Sequence, residues 1–188
     1  MTKPKIISEK VLYQSNLSKV ISAKVKLPDG KIVEWDYFGN EDVVAILPID
    51  KEGNIYLVSE WRPAWRKEIM QIPAGHCSSK TEVGRIKQVH NELREEAGID
   101  AKKIRKLVSY APSARMNYKV YLYLAEDLFP SYKDPDEDEL IEVVKMPYKI
   151  AYKTFVEENQ LTTSSTILAL VMSRDKIFST KQNEILLR

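Results

Sequence analysis

The chain has 188 residues, of which 44% are hydrophobic, and its 29 basic and 27 acidic side chains nearly cancel. This length is typical of one domain, and the apolar fraction supports a sizeable core and argues against disorder. Because the charge is balanced and there is no block of Lys or Arg, we expect no nucleic-acid partner. We predict a single domain over residues 1–188, with an N-terminal β-subdomain at 1–39 and a core at 40–188.

Cysteine content and hydropathy indicate the compartment. Cys77 is the only cysteine, so no disulfide can form within the chain, and a reducing compartment is the natural interpretation. Residues 1–10 lack the apolar stretch of a signal peptide, and no run approaches the roughly 18 apolar residues of a membrane span. We therefore predict a cytoplasmic protein without a membrane partner.

The first third of the chain is predicted to form strands. Residues 19–27 and 32–38 flank the turn sequence Pro28-Asp29-Gly30-Lys31, which predicts an antiparallel hairpin. Residues 43–48 form a short, almost continuous apolar run, typical of a buried strand. Further strands are predicted at 11–13, 55–61 and 69–72.

The spacing of the hydrophobic residues changes between residues 81 and 97, where they recur every three or four positions. This pattern predicts an amphipathic helix, and Gly98 suits the position just after its end. Strands are then predicted at 104–110, 120–125 and 140–144, and helices at 147–158 and 163–174. Many strands, one central helix, more strands and terminal helices together predict an α+β fold with a mixed sheet between helices.

Three carboxylates lie on one face of the predicted central helix. Glu92, Glu95 and Glu96 have the spacing i, i+3 and i+4, which places their side chains together. Hard cations such as Mg²⁺ and Mn²⁺ take oxygen ligands and associate with phosphates. The turn sequence Pro73-Ala74-Gly75 can bring backbone close to the same place. We interpret this face as a metal site, and the alternative is a solvated charged surface.

The stretch from Gly75 to Ile99 resembles the Nudix box, whose pattern is Gly-x5-Glu-x7-Arg-Glu-U-x-Glu-Glu-x-Gly-U with U aliphatic. The chain departs from it at Asn91, where the family has Arg, and in the sixteen residues between Gly75 and Glu92, where the family has fourteen. The resemblance implies a Nudix-like α/β/α sandwich with a mixed sheet, beside a small antiparallel N-terminal sheet. The matching residues are Gly75, Glu92, Leu93, Glu95, Glu96, Gly98 and Ile99.

Further segments resemble the ADP-ribose pyrophosphatases and related nucleoside-diphosphate-sugar hydrolases of that family. They are residues 58–64, 71–75, 136–143 and 163–167. The resemblance implies metal-dependent hydrolysis of the pyrophosphate bond of a nucleoside diphosphate sugar, first of all ADP-ribose to AMP and ribose 5-phosphate. A sugar nucleotide of the GDP-mannose type is the alternative substrate.

The resemblance also implies roles for particular oxygen donors. The carbonyl of Ala74 with Glu92 and Glu96 would hold Mg²⁺ or Mn²⁺, supported by Glu95 among the catalytic residues. In the acidic segment 134–139, Glu137 is the candidate general base. In the same segment Glu139 is a candidate extra metal ligand, and the alternative for both is an ordinary acidic surface loop.

Substrate contacts are predicted outside the box. Arg62 would hold a phosphate, although a surface salt bridge is an equal alternative. Trp35 and Tyr37 are candidates to stack on a base, the alternative being ordinary packing. Arg115 would face the second phosphate or the terminal sugar. Further stacking candidates are Trp61 and Trp65.

Two classes of function remain open from the sequence. The enzyme hypothesis depends on the carboxylate face. The other hypothesis is a Nudix-fold sensor that binds a nucleotide sugar without cleaving it, and it is favoured by Asn91, by the longer loop and by Gln71 in place of a Glu. The family comparison also implies a homodimer in which the N-terminal sheet of a partner subunit contributes aromatic side chains to the base site.

Overall fold

In the computed structural model, which describes residues 3–16, 18–133 and 141–186, the chain forms two compact units. The first unit comprises Met1–Asp42 and Tyr110–Lys119, and the second comprises Val43–Ser109 and Val120–Arg188. The first unit therefore takes in a segment, 110–119, that the sequence analysis assigned to the core. Hydrogen bonds between Phe38 and this segment, from the Phe38 N–H to the Arg115 carbonyl (2.8 Å) and from the Asn117 N–H to the Phe38 carbonyl (3.0 Å), join it to the N-terminal strands.

Ten strands and three α-helices are present in the described part of the chain. The strands are β1 (Lys5–Gln14), β2 (Lys19–Lys26), β3 (Ile32–Gly39), β4 (Asp42–Pro48), β5 (Asn54–Arg62), β6 (Lys67–Gln71), β7 (Ala74–Cys77), β8 (Ile99–Tyr110), β9 (Val120–Pro130) and β10 (Ile141–Pro147). The helices are α1 (Glu82–Glu96), α2 (Tyr148–Tyr152), which continues into a π-helical turn (Lys153–Glu157), and α3 (Ser164–Leu186).

The first unit is built on one antiparallel sheet in the order β1-β2-β3. The predicted hairpin between β2 and β3 is present, and the Leu27 N–H donates to the Lys31 carbonyl at 2.8 Å to close its turn. Ala23 and Val25 of β2 are buried, whereas β1 is exposed along its whole length. The alternation of the sequence is therefore present in β2, and β1 leaves its apolar side chains uncovered.

The second unit contains two sheets. One is antiparallel with the order β10-β5-β6, and the other has four strands in the order β7-β4-β9-β8, with β4 and β9 parallel. Helix α1 packs on the four-stranded sheet through Val89 and Leu93, which join Val44, Ile46 and Tyr123 in the core. Because successive strand residues point to opposite faces and residues 44–47 are all fully buried, both faces of this sheet are covered.

The α+β fold is confirmed, and the structure adds one strand that was not predicted and changes the bounds of several elements. The turn sequence at 73–75 runs directly into the short strand β7, and β8 begins immediately after α1 at Ile99. Helix α3 extends to Leu186, beyond the predicted end at 174. In the part of the chain that the structure describes, no helix is both long and apolar enough to cross a membrane.

Candidate active site

The carboxylates of Glu92 and Glu96 lie against the turn that precedes β7. Both side chains are buried, with 7% and 6% of their surface exposed. The Ala74 N–H donates to Oε2 of Glu96 at 2.9 Å. A Cβ atom on Gly75 would lie 2.0 Å from Oε1 of Glu92, so only glycine allows this carboxylate to approach the backbone so closely. The structure thus brings together three of the predicted metal-site residues, namely Ala74, Glu92 and Glu96.

Neighbouring side chains also bond Glu92 and Glu95, the third carboxylate of this helix face. The Gln88 side-chain amide donates to Oε1 of Glu92 at 2.6 Å, one turn earlier on the helix. Glu95 forms an ion pair with Lys133, which follows β9. Lys133 also donates its backbone N–H to the Arg94 carbonyl at the end of α1 (3.2 Å). Glu95 is therefore directed to a lysine, and the ion pair offsets the repulsion among three adjacent carboxylates.

The oxygen atoms at this site are of the type that a hard divalent cation prefers as ligands. Glu92 and Glu96 offer carboxylate oxygens beside a backbone turn, and such cations prefer oxygen ligands. Within residues 3–16, 18–133 and 141–186, no group of three or more His, Cys, Asp or Glu side chains is arranged to hold a metal ion. The predicted general base Glu137 and the predicted ligand Glu139 lie outside the described residues, so the roles of both stay predictions.

Asn91, which stands where the Nudix pattern has Arg, is engaged within its own helix. Its Oδ1 accepts a hydrogen bond from Nη2 of Arg94 at 2.8 Å, and Nε of Arg94 donates to the His90 carbonyl at 2.9 Å. The His90 ring in turn pairs with Asp100 at the start of β8. Asn91 thus belongs to a network that ties the second half of α1 to β8.

The first turn of α1 carries a second network, which the sequence did not predict. Oε2 of Glu82 accepts from Nε and Nη2 of Arg85 at 3.1 and 2.9 Å, and Oε1 accepts from the hydroxyl of Tyr123 at 3.0 Å. The guanidinium carbon of Arg85 lies 4.2 Å from the centre of the Tyr121 ring. The Glu82–Arg85 spacing was visible in the sequence, but the two tyrosines belong to β9, about 40 residues away.

Arg62, the predicted phosphate ligand, forms an ion pair with Glu60 of the same strand. Its Nη2 lies 2.7 Å from Oε2 of Glu60, and the side chain is half-exposed. This is the salt-bridge alternative raised by the sequence, and it leaves the guanidinium accessible to solvent. Its contact with a phosphate stays a prediction.

The three other predicted substrate residues line one cavity within the first unit. This cavity has a volume of about 870 Å³ and includes Trp35, Tyr37 and Arg115 in its wall. Trp35 is 54% exposed, which is unusual for a large aromatic side chain that packs in a core. Arg115 donates from Nε and Nη2 to the Asp36 carbonyl at 3.4 and 3.3 Å.

The wall of this cavity includes acidic residues as well as Arg115. Alongside Arg115 it contains Glu9, Glu34 and Asp36. The Tyr37 hydroxyl donates to Oε1 of Glu9 at 2.6 Å, and this hydrogen bond, with burial and the negative charge of Glu9, raises the pKa of Tyr37. Glu9 lies on the same face of the sheet as Trp35 and Tyr37, whereas Glu34 and Asp36 alternate with these aromatic residues on β3 and direct their side chains to the other face. Two aromatic rings beside one carboxylate and one guanidinium suit a flat ring with hydrogen-bond donors.

Comparison with known proteins gives relatives along most of the chain. An ADP-ribose pyrophosphatase of Bacillus subtilis (strain 168) is 29% identical over 171 residues, which cover 88% of this chain and 90% of the relative. A methanol dehydrogenase activator of Bacillus methanolicus is 27% identical over 169 residues, again 88% of this chain and 90% of the relative. An ADP-ribose pyrophosphatase of Mycobacterium tuberculosis (strain ATCC 25618 / H37Rv) is 30% identical over 95 residues, covering 50% of this chain and 45% of the relative.

The fold has a close counterpart among solved structures. The crystal structure of an ADP compounds hydrolase matches with a TM-score of 0.80, covering 96% of this chain and 97% of the matched one, at 19% identity. This likeness shows a common fold. No protein-family model matches the chain.

Proposed function

We propose that the chain is a Nudix hydrolase that cleaves the pyrophosphate bond of a nucleoside diphosphate sugar, because it is 29% identical over 88% of its length to an ADP-ribose pyrophosphatase and shares the fold of an ADP compounds hydrolase. ADP-ribose is the first candidate substrate, with AMP and ribose 5-phosphate as products. The observation that carries this proposal is the pair of buried carboxylates, Glu92 and Glu96, held against the turn at 73–75.

The residues of this site have separate tasks in the proposed reaction. Glu92, Glu96 and the carbonyl of Ala74 would hold Mg²⁺ or Mn²⁺, which when bound supplies neutralisation of the diphosphate charge and a water of lowered pKa. Glu96 accepts the Ala74 N–H and so fixes the turn relative to the helix. Lys133 forms an ion pair with Glu95 and so lowers the repulsion between this third carboxylate and the other two. Such positioning and charge compensation are most of what phosphoryl transfer requires from a protein.

We assign the cavity of the first unit to the base of a nucleotide. Trp35 offers an exposed aromatic face on which a base can stack, and the carboxylate of Glu9 can accept hydrogen bonds from ring or amino N–H groups. Arg115 lies in the same wall and donates to the Asp36 carbonyl. We therefore propose that Arg115 contacts the base or its ribose, in place of the second phosphate or terminal sugar expected from the sequence.

The enzyme proposal is tested by the release of AMP from ADP-ribose with Mg²⁺. We expect turnover by the wild-type protein and a loss of about 100-fold or more in kcat for Glu96→Gln, because the variant keeps the shape of the side chain but loses its charge. Glu126→Gln, which alters a carboxylate on β9 paired with Arg105 at 3.1 Å, is the matched control and should retain full activity. Equal rates for wild type and Glu96→Gln would contradict the proposal.

The alternatives make different predictions in the same assay. A GDP-mannose-type hydrolase would release GMP from that substrate faster than AMP from ADP-ribose. A sensor would be stabilised by the nucleotide sugar according to its occupancy, with no product after hours. Asn91 favours the sensor, because it is bonded to Arg94 and has no charge. Turnover of ADP-ribose within minutes would eliminate the sensor.

A second candidate function is activation of a dehydrogenase. It is favoured by the 27% identity to the methanol dehydrogenase activator over 88% of this chain. The test adds the purified chain to a methanol dehydrogenase and follows the rate of methanol oxidation. Activation that is lost with Glu96→Gln would show that it depends on the carboxylate site. No acceleration by the wild-type chain would remove this candidate.

We also propose a homodimer formed through the N-terminal sheet. Strand β1 leaves Ile6, Val11 and Leu12 exposed, and an uncovered apolar strand at a sheet edge is a surface that pairs or packs with another chain. Light scattering at micromolar concentration should give twice the mass of 21.7 kDa. A double Val11→Lys, Leu12→Lys variant should be monomeric, whereas Val83→Lys, at an exposed position of α1, should not change the mass. A monomeric wild type would contradict the homodimer.

A further inference from the structure

The network at the start of α1 connects this helix to the four-stranded sheet. Arg85 is buried and grips one oxygen of Glu82 with two N–H groups, while the hydroxyl of the fully buried Tyr123 holds the other oxygen. Tyr121 and Tyr123 are two residues apart on β9, so both rings lie on the face of the strand that α1 covers. The first turn of α1 is therefore fixed to β9 through Oε1 of Glu82, and through the Arg85 guanidinium, which holds Oε2 of Glu82 and lies 4.2 Å from the centre of the Tyr121 ring of β9.

The connection between β7 and α1 folds onto the same turn. Thr81 caps the helix by accepting the Gly84 N–H at 3.1 Å, and the Ser79 hydroxyl lies 3.2 Å from that of Thr81. A Cβ on Gly84 would lie 1.8 Å from the Ser79 hydroxyl, so the glycine, which has no evident purpose in the helical pattern, makes room for this loop. The start of α1 is thus held from the loop side as well as from the sheet side.

Charge strengthens this attachment. Burial alone would raise the pKa of Glu82, but the hydrogen bonds from Arg85 and Tyr123, with the charge of the nearby Lys106, outweigh it and lower the pKa. The phenol of Tyr123 has a raised pKa, because it is buried and donates to Glu82. At neutral pH the carboxylate is therefore charged and the phenol protonated, the states that this hydrogen bonding requires.

We propose that Arg85 is a positioning residue that sets the axial placement of α1 on the sheet and thereby the contact of Glu96 with Ala74. This inference rests on the proposed function, since the contact matters for catalysis only if Glu92 and Glu96 form the reactive site. A helix advances about 1.5 Å per residue, so an axial slip of one residue would exceed the tolerance of the 2.9 Å bond between the Ala74 N–H and Glu96. Asn91 belongs to a separate network that ties the second half of α1 to β8, so it does not hold the first turn of the helix.

The geometry of Arg85 explains why an arginine is needed. Its planar guanidinium bonds Glu82 with two N–H groups and lies over the Tyr121 ring. A lysine offers a point charge that cannot reproduce both contacts. Arg85→Lys should therefore keep the ion pair and lose the alignment, which places its effect between those of the wild type and of Arg85→Gln.

The test measures hydrogen exchange of the Ala74 amide by NMR, without metal and without substrate. The Ile49 amide, which donates to the Ala125 carbonyl at 2.9 Å, is the internal reference for general loosening of the unit. In Arg85→Gln we expect the Ala74 amide to exchange about 10-fold faster relative to Ile49. Arg85→Lys should give a smaller increase. Arg105→Gln, the same substitution at an exposed partner of Glu126, should give no change in this ratio.

One further variant and a kinetic readout complete the experiment. Tyr123→Phe removes only the hydroxyl and keeps the buried ring, so it should raise the same ratio even if Arg85→Gln is too unstable to study. In the AMP assay, Arg85→Gln should lower kcat about 10-fold with little change in KM. An exchange ratio equal to that of the wild type in Arg85→Gln, or in Tyr123→Phe if Arg85→Gln does not fold, would overturn the inference. Because this ratio needs no turnover, a wild-type chain that fails to cleave ADP-ribose would refute the proposed function and leave the positioning result intact.

Discussion

Strands β1 and β4 place their apolar residues in opposite environments. In β4, residues 44–47 are fully buried, because both faces of their sheet are covered. In β1, by contrast, more than half of the Ile6 and Leu12 surfaces are exposed. Burial of apolar surface contributes roughly 25 cal/mol per Å² to folding. The second unit therefore holds most of the stabilising core, and the apolar surface of the first unit is available for a partner or a ligand.

Buried charged side chains and exposed aromatic rings are exceptions to ordinary burial in this protein. The second unit buries the charged Glu92, Glu96 and Arg85, and both units expose tryptophans, Trp35 in the first and Trp61 and Trp65 in the second. A buried charge and an exposed large aromatic ring both depart from ordinary burial preferences, and such departures point to function. The buried charges mark the proposed catalytic site of the second unit, and the cavity beside Trp35 distinguishes this tryptophan as the proposed site for a flat ring in the first.

The largest expected effect comes from the same substitution made in the two regions. Leu93→Ala creates a cavity in the core under α1 and should lower the free energy of unfolding by about 2 to 5 kcal/mol. Leu12→Ala on the exposed face of β1 should change it by less than about 0.5 kcal/mol at protein concentrations that favour a monomer. Urea unfolding monitored by circular dichroism gives both values. A loss above about 1 kcal/mol for Leu12→Ala would show that β1 is covered in solution.

Glycine substitutions compare the two units at positions of close approach. In Gly75→Ala the new methyl group would displace the flexible end of Glu92, so the free energy of unfolding should change by less than about 1 kcal/mol while kcat falls about 10- to 100-fold. Gly39→Ala in β3 would meet Cδ1 of Ile21 at 3.0 Å and should leave kcat unchanged. The two variants are compared by thermal melting and by release of AMP from ADP-ribose. Full activity of Gly75→Ala would contradict the role assigned to Glu92.

The local features of the site could be predicted from the sequence. The helix expected at 81–97 runs from Glu82 to Glu96, because its apolar spacing and the glycine at 98 are local signals. The spacing of Glu92 and Glu96 also placed them on one face. The nearby turn at 73–75 was expected beside them, and a hydrogen bond of 2.9 Å joins its Ala74 to Glu96.

Contacts between distant parts of the chain had no such signal. Lys133, the partner of Glu95, is 38 residues from it, and Tyr123 is 41 residues from Glu82. Segment 110–119 joins the first unit through hydrogen bonds to Phe38, and no local pattern in either segment indicates that pairing. These partners are set by strand order and packing, which a single sequence does not reveal.

Two tryptophans with similar exposure test the assignment of the base to the cavity of the first unit. Trp35→Ala should raise KM for ADP-ribose about 10-fold with little change in kcat, because stacking on a base contributes about 1 to 3 kcal/mol of binding that is uniform along the reaction. Trp61→Ala, which removes an equally exposed ring from β5, should leave KM within about twofold of the wild type. Steady-state kinetics with AMP detection gives both constants. A larger effect of Trp61→Ala would assign the base to the second unit.

The smallest expected effect concerns carboxylates that form ion pairs in the two units. Burial raises the pKa of Asp50, but hydrogen bonds from Lys145 (2.7 Å) and the Asn54 N–H (2.8 Å) outweigh it and lower the pKa below its ordinary value. A carboxylate with a lowered folded-state pKa stabilises the protein above its unfolded pKa of about 3.9. That contribution is lost as the pH falls through the folded-state value.

Asp50→Asn should therefore be less stable than the wild type at pH 7, and the difference should shrink below about pH 4. Glu34→Gln in the first unit breaks a pair with Lys24 in which the charged atoms are 3.7 Å apart and both side chains are mostly exposed, so its effect should stay below about 0.5 kcal/mol at every pH. Urea unfolding between pH 3 and pH 7 separates the two cases. A deficit for Asp50→Asn that is the same at pH 3 and pH 7 would mean that Asp50 acts through its hydrogen bonds to Asn54 and not through its charge.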